Sequence, residues 1–583
     1  MSEQESKSLI KSKLTGNIPR ESEIHELTSL LEHLPLALVQ AAAFMQENMM
    51  TINEYLDLYK DGDETQMELL CEPFEALGRD SEIPNAVATT LMISINQIKE
   101  HNPRAVEILS LMGFLDRHEI PKAFIERKER PLDLAKALGT LKAFSLIVEG
   151  GVQGTYSMHR LVQLVVRKWL TIQGRFEAWA IQALERVAEL YPNATFENWE
   201  VCADYLPHAR AVLQFVPNLQ GKDLRTRLYL QEGISFYLWS QGRYREAEEM
   251  DILILEENKK EFGLEHPETL ESMGSLASTY EDQGRLDEAE ELDRHVLEIR
   301  KKQLGPEHRV TLTSMSNLAS IYEKQGRLRE AENLALEVFE TRQKVFGPDD
   351  DETLDSMAQL GSIYIELEQW ERAEELELHV WNLRKEKLGP DHKDTLTCES
   401  LLALIYDCQG QKQKAEQLNL RVLKAREETL GPTHPETLCS KSNLASIYRD
   451  QGELDKAEDL VLQVLKVREE QLGPTHPTTL LDKQILAHIY YNRGYFEKAE
   501  ELEVEILREK KSKQGPDHPS TLIAMANLAW TRMRLDQKAE AVELMAEVVR
   551  LQMKKLGPDH PDTKESVETL KEWSIGDKAL YSQ

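Results

Sequence analysis

From about residue 227 onward the apolar positions return with a fixed period of 42 residues. The stretch Asn317-Leu318-Ala319-Ser320-Ile321-Tyr322-Glu323-Lys324-Gln325-Gly326 reappears, three periods later, as Asn443-Leu444-Ala445-Ser446-Ile447-Tyr448-Arg449-Asp450-Gln451-Gly452. Each unit predicts two helices. The first carries a Leu, a small residue and a Tyr on one face. Its small slot runs Ala277, Ala319, Gly361, Ala403, Ala445, Ala487, Ala529, and its Tyr slot runs Tyr280, Tyr322, Tyr364, Tyr406, Tyr448, Tyr490. A glycine turn follows at Gly242, Gly284, Gly326, Gly410, Gly452 and Gly494. The second helix is anchored by Ala247, Ala289, Ala331, Ala373, Ala415, Ala457, Ala499 and Ala541. A fixed period of this size marks helical hairpins that bury their apolar faces on their neighbours. Such a stack presents a long surface, which points to recognition of another protein and away from catalysis.

Between units stands Gly-Pro, from Gly305-Pro306 to Gly557-Pro558, with His two residues on at His266, His308, His392, His434, His476, His518 and His560. The glycine is expected in a left-handed cap conformation. The Pro that often follows the His suits a first helical turn. The histidines come one per unit, a repeat apart in space. A zinc site needs four ligands around one ion, so the expected role is loop capping and no metal is expected.

The Leu, small residue, Tyr and later Ala resemble the tetratricopeptide repeat, and the 42-residue form is similar to the repeats of kinesin light chain. That resemblance implies a right-handed superhelix, an α-solenoid, of eight hairpins over 227–558, with 559–583 as capping helix and tail. It also implies a concave groove lined by the first helices, where amide side chains hold an extended peptide backbone. On that basis the expected partner contacts are Asn317, Asn443, Asn527, Arg449, Tyr491, Trp530 and Arg534. The first half of the groove reads as small, polar and acidic; the last third gains aromatic and basic groups.

The first 225 residues lack the period. Leu34-Pro35-Leu36-Ala37-Leu38 resembles the Gly-Leu-Pro-Leu-Ala-Leu motif of the first helical ARC subdomain of NB-ARC ATPases, where Pro packs on adenine, but Glu32-His33 precede Leu34 and the family's leading Gly is absent. Residues 1–82 are accordingly read as an ARC-like helical subdomain. Helices closed by two short strands, Leu146–Val148 and Tyr156–Met158, resemble that family's winged helix, assigned to 83–172. Met158-His159-Arg160 stands where the family carries Met-His-Asp, whose His reaches a nucleotide phosphate; Arg160 departs from the motif. Residues 173–226 read as a helical connector. The order of parts is similar to fungal NLR-like (STAND) proteins. No G-x-x-x-x-G-K-[ST] is present, so Pro35 and His159 are family-equivalent positions without an expected cofactor; ADP or ATP enters only with a nucleotide-binding domain elsewhere.

The formal charge of -32 disfavours nucleic acid, since phosphate binding needs clustered Lys and Arg. Five cysteines without a C-x-x-C pair fit a reducing compartment. The polar start gives no expectation of a secretory leader, and no apolar run reaches bilayer length, so a cytoplasmic protein is expected. The readings are a non-enzymatic interaction module acting as the sensor half of an NLR-like regulator, a kinesin light chain-like adaptor, or a nucleotide-dependent switch with its P-loop supplied upstream or in trans.

Overall fold

The computed structural model describes residues 2–13, 20–31, 33, 37–39, 41–42, 45, 50–60, 87–216, 219–558 and 560–580. It divides into two compact units, Met1–Ile234 and Ser235–Gln583. Among the described residues it is helical apart from one small sheet, and no helix is long and apolar enough to cross a membrane.

In the first unit the helices are α1 (Glu3–Lys13), α2 (Glu21–Leu30), α3 (Ile52–Lys60), α4 (Val87–His101) and α5 (Pro103–Met112). Then come β1 (Ile120–Pro121), α6 (Lys122–Ile125), α7 (Pro131–Ala143), β2 (Ile147–Glu149), β3 (Thr155–Met158), α8 (Arg160–Ile172), α9 (Phe176–Leu190) and α10 (Trp199–Leu213). The strands form an antiparallel sheet of order β1-β3-β2, with Ile147 opposite Met158 and Ile120 opposite Tyr156. The apolar face of α8 buries Leu161, Val165 and Trp169. Two polar side chains of α8 are satisfied there: Gln163 Nε2 donates to Leu115 O at 2.7 Å, and Trp169 Nε1 donates to Asn96 Oδ1 at 2.9 Å. Pro35 lies outside the described residues.

The repeats form paired helices. First helices are α11 (Gly221–Ser240), α13 (Pro267–Asp282), α15 (Arg309–Lys324), α17 (Asp351–Glu366), α19 (Lys393–Cys408), α21 (Pro435–Gln451), α23 (Pro477–Asn492) and α25 (Pro519–Arg534). Second helices are α12 (Tyr244–Phe262), α14 (Leu286–Leu304), α16 (Leu328–Phe346), α18 (Trp370–Leu388), α20 (Lys412–Thr429), α22 (Leu454–Gln471), α24 (Phe496–Lys513) and α26 (Lys538–Lys555). A last helix, α27 (Pro561–Leu580), sets Leu570 and Trp573 against the Met525–Leu528 cluster.

Packing explains the period. Every alanine of the second-helix slot, from Ala247 to Ala541, is wholly buried. A larger side chain there would hold the neighbouring helix away and forfeit dispersion contacts along its length. Each helix pair then adds a Leu, Met and Val cluster to the next, as Leu312, Met315, Leu318 and Val338 do.

The histidines cap. His266, His308, His392, His434, His476 and His518 each stand at the N-cap and accept, through Nδ1, the backbone N–H two residues on. Asp350 does the same with its carboxylate. The junction glycine departs from the left-handed expectation. Gly305, for example, has φ 90° and ψ 164°, a region open in practice only to glycine. The cause is the following Pro306, which excludes helical ψ from the residue before it. The left-handed cap is instead at the turn inside the hairpin, where Gly452 has φ 81° and ψ 6°.

Glu368 (φ 58°) and Asp536 (φ 61°) occupy that left-handed slot in the two hairpins that lack glycine there. Relief of the Cβ clash, less the greater freedom of glycine in the unfolded chain, gives Glu368→Gly a gain of about 0.5–1 kcal/mol. A raised urea midpoint with unchanged slope is the expected reading.

A buried polar ladder runs between repeats, one rung per unit. Asn258 donates to Ser272 (2.6 Å), Arg300 to Ser314 (2.8 Å), Arg342 to Ser356 (2.7 Å), Arg384 to Cys398 Sγ (3.3 Å), Arg426 to Ser440 (2.9 Å) and Arg468 to Asp482 (2.6 Å). Each rung ties a second helix to the first helix of the next hairpin. Lys510 faces Ala524 in the partner slot and uses Gln484 Oε1 (3.1 Å) and Ser520 O (3.3 Å) instead. Burial pushes its ammonium down to about 8.

Candidate functional site

Neighbouring first helices touch directly through side chains. Ser320 Oγ donates to Glu281 at 3.1 Å, Gln359 Nε2 to Ser316 O at 2.8 Å, and Ser362 Oγ to Glu323 at 2.8 Å. Arg449 lies 3.5 Å from His488 Nδ1. Among the described residues, second helices of adjacent hairpins meet at their starts, where Arg285 reaches Glu248 at 2.6 Å and Arg327 reaches Glu290 at 3.0 Å, and through the long Arg372–Glu332 ion pair of 3.9 Å, but no two of them approach as closely as the first helices α15 and α17 or α21 and α23. Elements on the inner side of a curved ribbon crowd together, so the first helices form the inner face of this unit.

That face has a charge gradient. Burial raises Glu323 and Asp407 above the usual carboxylate range; Ser362 opposes the rise at Glu323, and Asp450 adds to it at Asp407. Burial likewise raises Asp282, against the pull of Lys324. Lys324 also meets Glu281 at 2.9 Å. Further along, Arg449 is held by Asp450 at 2.7 and 3.0 Å. His488 is pushed below its ordinary range by burial and then by Arg449, while Asn527 supports its charged form. Arg449, His488 and Asn527 thus make a polar line across three hairpins.

The other sequence-derived residues fall into separate groups. Asn317 and Asn443 are exposed, each on its own helix; Asn527 is half-buried, with a buried Nδ2 that has no hydrogen-bond acceptor. Tyr491 meets Phe496 edge-on at 5.3 Å, and the Arg534 guanidinium sits 5.3 Å from the Phe496 ring and 6.0 Å from Tyr491. Trp530, 40% exposed, stacks edge-on at 4.9 Å with Trp573 of α27. Tyr491 and Arg534 therefore share one aromatic–cation cluster, whereas Trp530 belongs to another. Phe496 and Trp573 were not among the residues singled out from the sequence. Phe496 begins a second helix and Trp573 lies past the last repeat, so neither carries the signal of the first-helix row.

In the first unit His159 is the N-cap of α8, its Nδ1 accepting Leu161 N–H at 3.2 Å. Among the described residues no group of His, Cys, Asp and Glu could hold a metal ion.

Two tetratricopeptide-repeat family models match the chain, one at 226–302, 275–344, 310–386, 420–470 and 436–508, the other at 395–436 and 521–562. Together they cover more than half of it. The chain is a tetratricopeptide-repeat protein. Among curated proteins this tetratricopeptide-repeat chain is similar to a nucleotide-binding leucine-rich repeat (NLR)-like protein of Hyaloscypha variabilis, 38% identical over 258 residues. That match takes in 43% of this chain and 26% of the relative, so the chain spans about a quarter of the relative's length. Among solved structures, the nearly identical TPR-like repeats of a putative kinesin light chain from Podosopora anserina are 31% identical, over 34% of this tetratricopeptide-repeat chain and 95% of that one, with a TM-score of 0.31. A STAND protein with a tetratricopeptide-repeat sensor from Pyrococcus horikoshii is 15% identical, over 83% of this chain and 72% of that one, with a TM-score of 0.33.

Proposed function

We propose that this protein is the recognition half of an NLR-like regulator, binding a polypeptide partner along the first helices of its repeats. The observation that carries this reading is the continuous inner face. Along it α13, α15 and α17 are joined by Ser320–Glu281, Gln359–Ser316 and Ser362–Glu323, α21 and α23 by Arg449–His488, and it ends in the Tyr491–Phe496–Arg534 cluster. Exposed Asn317 and Asn443 offer both a donor and an acceptor to a peptide backbone. The cluster offers a rigid aromatic surface with a guanidinium, the kind of group that dominates binding energy at interfaces. The relative in Hyaloscypha variabilis supports placing the array in a nucleotide-binding, NLR-like protein. In that setting residues 1–82 and 83–172 act as the ARC-like and winged-helix elements of the switch.

Affinity capture from lysate tests the surface. The wild-type array is compared with an Asn317→Ala/Asn443→Ala/Asn527→Ala variant and a Tyr491→Ala/Arg534→Ala variant. Loss of about 2–3 kcal/mol at the aromatic–cation cluster lowers recovery of the partner roughly 30-fold or more. The three amides together lower it about tenfold, at about 0.5 kcal/mol each. Equal recovery by all three proteins, with unchanged circular dichroism, rejects the inner face as the binding surface.

A further inference from the structure

The repeat array meets itself one turn later. Three hairpin turns near its beginning touch three His-Pro junctions near its end, each pair 234 residues apart, about five and a half repeats. A Cβ on Gly242 would lie 2.6 Å from Cδ of Pro477 and 3.2 Å from the His476 ring. A Cβ on Gly284 would overlap the His518 ring, and one on Gly326 the His560 ring. At the same slot Gly410, Gly452 and Gly494 have open space around the position a Cβ would take. Hydrogen bonds cross the same line. His476 Nε2 lies 3.3 Å from Ser240 O, and Arg245 donates to Ser512 O at 2.9 Å. Between the two edges lies a cavity of about 370 Å³, its walls including Tyr244, Leu286, Leu481 and Ile523.

The capping role of the histidines makes this contact specific. In His476 and His518, Nδ1 already accepts a backbone N–H of its own helix, so the ring is neutral and carries its proton on Nε2. That proton points across the line, toward Ser240 O from His476 and toward the Asp282 carbonyl from His518. Burial pushes both rings down to about 4, which keeps them in this form at neutral pH.

Because hairpin turns lie along one edge of the ribbon and His-Pro junctions along the other, contact between them joins edge to edge. The inner face is thereby enclosed. We infer that the array is a closed turn whose inner face admits only an extended, unfolded polypeptide segment, and that the Gly242, Gly284 and Gly326 contacts are its seam. The inference rests on the first helices being the binding surface. The charge on that face narrows the segment further. Glu323 and Asp407 are half-buried carboxylates that a basic residue would stabilise, and Arg534 has no carboxylate partner among the described residues. The segment therefore carries a basic residue toward one end and a carboxylate toward the other.

Two triple variants separate the seam from local turn strain. Gly242→Ala/Gly284→Ala/Gly326→Ala places Cβ atoms in the seam. Gly410→Ala/Gly452→Ala/Gly494→Ala imposes the same strain at equivalent turns that face open space. Small-angle scattering is expected to shift to a larger radius of gyration in the first variant alone, with loss of amide-exchange protection at 476–478 and 518–520. Identical scattering from both variants and wild type overturns the seam. Each protein is then panned against random linear 15-residue peptides and against the same peptides displayed as a loop on a folded scaffold. Wild type is expected to enrich only linear peptides that carry both charges, and the seam variant to enrich both kinds. Enrichment of scaffolded loops by wild type, lost in Tyr491→Ala/Arg534→Ala, overturns the enclosure while leaving the inner face as the binding surface. Failure of every protein to enrich any peptide sinks the inner-face reading and the inference with it, whatever the scattering shows.

Discussion

Asp482→Ala lowers the stability of the repeat array by about 3–5 kcal/mol, because it leaves the Arg468 guanidinium buried without its carboxylate. Arg468 and Asp482 are 4% and 1% exposed, and their ion pair is 2.6 Å long. Asp482 also accepts from Ser442 Oγ at 2.6 Å, so one carboxylate joins α21, α22 and α23. Removing it takes the charged acceptor from Arg468 and leaves Ser442 Oγ with Leu438 O at 3.1 Å. Arg468 keeps Thr478 O at 3.3 Å and Cys439 Sγ at 3.1 Å, neither of which carries negative charge to offset the desolvated guanidinium. The effect is local to one interface. Stacked repeats couple chiefly to their neighbours, so weakening one interface loosens the segments on either side of it, which the seam contacts alone then still join. Urea unfolding is therefore expected to separate into two transitions, with amide exchange accelerated first in α22 and α23. The double variant Arg468→Met/Asp482→Leu removes both charges and is expected to recover most of the loss, since a buried pair replaced by apolar groups of similar volume is often neutral or stabilising. A double variant as unstable as Asp482→Ala would show that the rung stabilises through geometry, not through charge balance.

The ladder to which this pair belongs was illegible in the sequence for a physical reason. Arg300, Arg342, Arg384, Arg426 and Arg468 repeat every 42 residues, but a long charged side chain on a helix is ordinarily read as solvated. Only the residue fourteen positions later, on the next hairpin, reveals the burial. By contrast, the Ala slots, the Tyr slot and the capping His announced themselves, because close packing and helix capping act within one hairpin or between immediate neighbours. The junction glycine was legible in kind and misassigned in conformation. Pro306 decides the ψ of Gly305, and the left-handed slot belongs to the turn within the hairpin. The seam was beyond reach. His434 and His476 stand in the same motif, and what separates them is the summed rotation of more than five repeats. On the inner face the sequence row gave Tyr491 and Arg534 as separate contacts. Phe496 joins them, a residue of the following helix that no first-helix row contains.

Glu377→Gln stabilises the array at pH 8 by about 3 kcal/mol and changes little at pH 4.5 or below. Glu377 is 1% exposed on α18, and burial pushes its carboxyl up to about 7 from 4.5, against the pull of Cys398 and Arg384. The sign follows from which state ionises first. Between pH 4.5 and 7 the unfolded chain loses this proton while the folded chain keeps it, so rising pH favours unfolding. The stabilising contribution is whole below about 4.5 and is lost as pH passes through 7. A neutral amide removes that dependence. Asp293 and Glu503, 4% and 3% exposed, are pushed up to about 7 by burial in the same way, Asp293 with Glu281 adding to the rise. They sit on α14 and α24, far enough from Glu377 for their effects to add. Urea midpoints at pH 5 and pH 8 check the claim. Wild type is expected to be the less stable at pH 8, Glu377→Gln to narrow the gap, and Asp293→Asn/Glu377→Gln/Glu503→Gln to narrow it further. The seam histidines act in the opposite sense, since His476 and His518 are held near 4 and lose their stabilising role only as pH falls from about 6.5 toward that value. Removing the three acids should therefore move the pH of greatest stability upward, and an optimum that stays in place would mean that these carboxyls are ionised in the folded chain.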